Sequence, residues 1–138
     1  MQYNLSNNLL ANKKTENIQK WNIFDILLFA AGAEHGLYTH NRKFYWNSFD
    51  NYFEPIYYDG FLNINLGYVE PNNLPNKTYF LTAIKDAKQQ IKQINIENFF
   101  QKIKSRGSLL TKREVKKKLD QIIENLNKLK IKIRVIPT

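Results

Sequence analysis

Arg42-Lys43-Phe44-Tyr45-Trp46-Asn47-Ser48-Phe49-Asp50-Asn51-Tyr52-Phe53-Glu54-Pro55-Ile56-Tyr57-Tyr58 is the stretch on which the fold turns. Its flanks, Arg42 to Trp46 and Tyr52 to Tyr58, are aromatic and β-branched, which suits a pleated, half-buried surface. Its middle, Asn47 to Asn51, is rich in turn formers. The pattern predicts a β-hairpin. Pro55 has no amide proton to give a ladder, so the second strand belongs at an edge or carries a bulge. Asp59-Gly60 ends that strand.

Upstream, Ile18, Trp21, Phe24, Ile26, Leu27, Leu28, Phe29 and Ala33 recur at helical spacing. The middle of this segment is apolar nearly all round, so it predicts a buried helix from about Thr15 to Ala33, its end bracketed by Gly32 and Gly36. Downstream, residues 61–81 hold Gly67, Pro71, Pro75 and several Asn, and predict a long irregular loop. Helices follow from about Thr82 to Gln93, and from an Asn95 cap through Lys104 to Gly107. A third helix starts at Thr111, where Thr111 and Glu114 have capping-box spacing. Ile131, Ile133 and Val135 alternate with Lys132 and Arg134 and predict a short terminal strand. The expected fold is α+β, mainly helical, with one central β-hairpin packed on helices. The expected organisation is a polar lead-in (1–15), a core (16–100) and a basic helical C-terminal segment (101–138).

The chain has 138 residues, 43% of them hydrophobic, enough for one domain with a modest core. It has no cysteine, which excludes disulfides, thiolate metal sites and cysteine nucleophiles. The richest apolar run, Ile26 to Ala33, is far short of the roughly 18 residues a membrane span needs. The Asn-rich N-terminus has no apolar signal core, so a cytoplasmic location without a transmembrane segment is expected. Residues 1–100 hold nine Lys/Arg and nine Asp/Glu, whereas residues 101–138 hold twelve and three. The whole net charge of +9 therefore lies in the last segment.

The densest cluster of chemistry-bearing residues runs from Glu34-His35-Gly36 through His40-Asn41 to Asp59-Gly60-Phe61. A hairpin brings an Asn at the start of one strand close to an Asp at the end of its partner. Both can present oxygens to Mg²⁺, which neutralises nucleotide phosphates. Trp21 to Gly60 resembles the catalytic core of atypical protein-kinase-like enzymes, nearest to the spore-coat CotH-type kinases. The resemblance implies a kinase C-lobe without its N-lobe, with Asn41 as the metal-binding Asn. It implies Asp59 as the metal-binding Asp of a DFG-like motif, with Mg²⁺ and ATP as cofactors. The nucleotide would then be one partner and a hydroxyl-bearing acceptor the other.

The sequence departs from that pattern in two places. Kinases carry a catalytic Asp five residues before the metal Asn, and here that residue is Gly36. His35, Glu34 or His40 then stands near the acceptor hydroxyl. A second register, with His40-Asn41-Arg42 as the catalytic loop and Asn47 as the metal Asn, fits less well because the strand should start directly after that Asn. The five glycines never form a G-x-G phosphate loop. The resemblance therefore implies a fragment, a degenerate remnant or half of a split enzyme. The alternative expectation is a non-enzymatic basic module. Residues 101–134, with Lys112, Arg113, Lys116, Lys117 and Lys118 at its centre, would contact nucleic acid, an anionic membrane surface or another acidic partner.

Overall fold

The computed structural model describes residues 15–66 and 77–135. The polar lead-in falls almost wholly outside the described residues, as do residues 67–76 of the expected loop. The described chain runs α1 (Thr15–Ala30), a 3₁₀ turn (Glu34–Leu37), β1 (Lys43–Asn47), β2 (Tyr52–Ile56) and a second 3₁₀ turn (Ile64–Leu66). It continues through α2 (Lys77–Lys92), α3 (Ile96–Ser105) and α4 (Lys112–Val135). This is the expected mainly helical α+β architecture with one antiparallel hairpin.

The core is a three-helix seam. Ile26 and Ala30 of α1, Phe80, Ala83, Ile84 and Ala87 of α2, and Leu126, Leu129 and Ile133 of α4 form one buried cluster. The α4 residues recur at spacings of three, four and seven, so each lands on the same helical stripe. Burying each Ile and Leu side chain among them stabilises the fold by about 1.5–3 kcal/mol.

The same seam corrects two expectations. Ile131, Ile133 and Val135 belong to α4 and not to a strand. Ile133 lies one turn beyond Leu129, and burial there outweighs the two-residue alternation. Likewise α2 begins at Lys77 and not near Thr82, because Phe80 already occupies the buried stripe.

Helix α1 is buried on several faces, with Trp21, Asn22, Asp25, Ile26, Leu28 and Ala30 all enclosed. It stops at Ala30, short of the expected Ala33. Gly32 takes φ +62°, and the amides of Gly32 and Ala33 turn back to the carbonyls of Phe29 and Leu28 at 3.2 and 2.8 Å. A left-handed residue at this place satisfies the last carbonyls of the helix, and glycine adopts it without a Cβ penalty.

The hairpin pairs Lys43 with Ile56 and Asn47 with Tyr52. Asn47 Oδ1 accepts from the backbone amides of Phe49 and Asp50 at 3.0 and 3.1 Å, and Asn47 Nδ2 donates to Glu54 at 2.6 Å. Asn47 is thereby committed to the turn. On α1, Trp21 stacks on Phe44 with centroids 4.8 Å apart and donates its indole proton to the Phe53 carbonyl at 2.7 Å. Tyr52 completes this second small core. Pro55 costs the ladder nothing, because each strand of a two-stranded sheet is an edge.

Candidate functional site

Three pieces of chain meet at His35. The 3₁₀ turn carries Glu34 and His35, the loop into β1 carries His40 and Asn41, and the chain leaving β2 carries Asp59. Asn41 is buried, His35 is partly buried, and His40 and Asp59 are exposed.

His35 is the hub. Its Nδ1 lies 2.7 Å from the Asp59 carbonyl oxygen, 2.9 Å from Asn41 Nδ2 and 4.0 Å from the Asp59 carboxylate. A carbonyl only accepts and an amide NH₂ only donates, so one tautomer cannot satisfy both neighbours. With the proton on Nδ1, His35 donates to Asp59. The Asn41 amide is then held by the His35 carbonyl at 3.1 Å, and Nε2 becomes the basic ring nitrogen. The rings of Phe61, Tyr38 and His40 surround the imidazole at centroid distances of 4.8, 5.1 and 6.2 Å.

The turn sits this close to the Asp59 segment because position 36 is glycine. A Cβ there would meet the Tyr58 carbonyl at 3.1 Å, a Leu28 methyl at 3.2 Å and the Gly60 Cα at 3.4 Å. Gly36 thus lets two backbones touch. A carboxylate there would push the two segments apart. Asp59 and Phe61 both take left-handed backbone, with φ of 47° and 50°. Such conformations are uncommon outside glycine and cluster at functional sites.

Of the five residues singled out from the sequence, Asn41 and Asp59 are brought to the same nitrogen of His35. His40 stands at the edge through its ring contact with His35. Glu34 opens the turn, partly buried, with no hydrogen bond to the other four among the described residues. Asn41 and Asp59 are oxygen-bearing side chains, the donor type a hard cation such as Mg²⁺ takes. Among the described residues no group of three or more His, Asp or Glu is arranged to hold a metal. Solvent and phosphate oxygens would have to complete the shell.

Sequence reasoning missed the pair that fixes Asn41. Its neighbour Arg42 reaches back to Asp25 of α1 in a buried ion pair. Burial pushes the Asp25 carboxyl above its usual 3.8, against the downward pull of the Arg42 charge and hydrogen bond. The available signal was a carboxylate set inside the apolar run Ile23 to Phe29.

In the C-terminal cluster, the expected capping box forms. Glu114 accepts from the Thr111 amide at 2.7 Å, and Thr111 Oγ1 accepts from the Glu114 amide at 3.3 Å. Lys112 pairs with Glu97 of α3 at 2.6 Å. Arg113, Lys116 and Lys117 are exposed. No helix among the described residues is long and apolar enough to cross a membrane. The chain matches no protein-family model, no curated protein and no solved structure.

Proposed function

We propose that the chain is a kinase-like C-lobe that binds a Mg²⁺–nucleotide through Asn41 and Asp59. Phosphotransfer from ATP to a hydroxyl would follow only when an N-lobe completes the site. The observation that carries this reading is that Asn41 Nδ2 and the Asp59 carboxylate both approach His35 Nδ1, at 2.9 and 4.0 Å, which brings the two side chains together with the Asn41 amide nitrogen, and not its oxygen, facing His35. Mg²⁺ would supply charge neutralisation at the phosphates. Asp59 would hold it together with the Asn41 side-chain oxygen, which has to face the ion while the amide nitrogen stays on His35, and the Arg42–Asp25 pair anchors the residue next to Asn41. His35 is the best placed of the three acid–base candidates. Its Nδ1 is tied to Asp59, which leaves Nε2 able to take a proton from an acceptor hydroxyl.

Calorimetric titration of the full chain with Mg–ATP tests the reading. Saturable binding that needs Mg²⁺ and disappears in both Asp59→Ala and Asn41→Ala is the expected result. Binding that survives either substitution overturns the assignment. The second reading, a basic module contacting nucleic acid or another acidic partner, rests on the exposure of Arg113, Lys116 and Lys117. It expects binding that falls steeply with salt and ignores Asp59→Ala.

A further inference from the structure

The groove between α2 and α4 has a volume of about 490 Å³, and the described residues that line it include four lysines and no carboxylate. Lys85, Lys88 and Lys92 come from α2, and Lys130 faces them from α4. Spacings of three and four place the α2 lysines on one helix face, where like charges one turn apart oppose helix formation. Lys92 has a local reason to be there, because it sits in the last turn and complements the helix dipole. Lys85 and Lys88 have no such reason. Lys88 donates to the Asn127 side-chain oxygen at 2.5 Å, which anchors it across the groove without neutralising it.

A lysine-rich composition alone does not explain the lining. The adjoining groove between α1 and α2, about 350 Å³, shares Gln89 and Gln93 with the first. It sets Glu16 and Asp86 beside Lys20. One face of α2 is therefore of mixed charge and the other of a single sign. On α4, the nearby Glu124 is paired with Lys128 at 3.1 Å and does not line the groove.

We propose that this groove binds a small, multiply phosphorylated anion. Four ammonium groups on two walls call for several negative charges in a small space. The volume is that of a small-molecule site, too small for a nucleic-acid duplex. Gln89 and Gln93 add amide donors for phosphate or hydroxyl oxygens, over the buried Ile84. No lining residue belongs to the Asn41–Asp59 site, so the two sites stand or fall separately.

The test is calorimetric titration of the full chain with inositol hexakisphosphate, and with sodium tripolyphosphate, at near-physiological salt with EDTA present. Lys85→Gln/Lys92→Gln should weaken binding at least about tenfold, as the loss of two charge-assisted contacts implies. Lys116→Gln/Lys117→Gln removes the same net charge outside the groove and should change affinity less than about twofold. Asp59→Ala should leave it unchanged. Lys130→Gln, which alters the other wall alone, provides an independent reading and should weaken binding as well. Equal loss in the two double variants would mean diffuse attraction to a basic protein and would overturn the proposal. So would the absence of saturable binding, or binding seen only when the phosphorylated headgroup is carried on a lipid vesicle.

Discussion

Arg42 directly follows Asn41, and its guanidinium is spent on Asp25 in the interior. Two charges leave water there, and removing one partner strands the other. Arg42→Met should therefore cost about 3–5 kcal/mol at pH 7. The Asp25 carboxyl already sits above 3.8 in the folded chain, and losing the guanidinium raises it further. A carboxyl whose folded pKa is raised binds its proton more tightly folded than unfolded. Its contribution is full below the unfolded value and is lost as pH rises through the folded one. Urea unfolding at pH 4 and pH 7 should show a smaller penalty for the variant at pH 4. That Asn41 and Asp59 come close together was legible in the sequence, because the predicted hairpin joins them. The Asp25–Arg42 pair was not, because charges from two elements reveal a partnership only after the chain has brought them together.

At the scale of elements, local chemistry was legible wherever it was self-contained. The hairpin, the Asn95 cap and the Thr111–Glu114 box each depend on residues within a few positions of one another. Asn95 accepts from the Asn98 amide at 3.0 Å, as its type and place suggested. The boundaries that moved, the start of α2 and the end of α4, are those set by the shared apolar seam. The capping box carries its own prediction. Hydrogen bonds from the Thr111 backbone and hydroxyl hold the Glu114 carboxyl below 4.5. Thr111→Ala should return it toward 4.5, read by side-chain NMR titration. A depressed carboxyl contributes stability above its unfolded pKa and loses it as pH falls through the folded value. In the unsubstituted chain, the protection of the Glu114 and Val115 amides relative to their intrinsic exchange rates should therefore fall in acid.

Across the whole molecule, one buried side chain joins the last helix to the segment that carries the site. Asn125 Nδ2 donates to the Ala30 carbonyl at 2.8 Å and lies 3.4 Å from the Ile64 carbonyl, while its oxygen accepts from Gln121 at 3.1 Å. Asn125→Ala would leave the Ala30 carbonyl buried and unpaired, a loss of about 1–3 kcal/mol. Thermal unfolding should show it as a lower midpoint. A loosened exit from α1 should also weaken any ligand held at Asn41 and Asp59. The one-signed groove between α2 and α4 was equally hidden in the sequence. Lys85, Lys88 and Lys92 fall inside the helix expected from about Thr82 to Gln93, but the wall opposite them, Lys130, depends on how two helices pack.

Asn125 grips residues 30 and 64, and the Asn63 amide reaches the Ala31 carbonyl at 3.1 Å. The site-bearing chain between those points is thus an excursion whose mouth is fastened shut. Lengthening such a loop raises its closure entropy only slowly, by about 0.6 kcal/mol for each doubling. Extra residues placed at the hairpin tip, where Phe49 is almost fully exposed, would leave both the fastening and the helical core in register. The architecture therefore separates a part free to change in length from a part that is not. Over evolutionary time, related chains should differ mainly in what is spliced into the tip beyond Asn47, while the residues at the mouth stay constant.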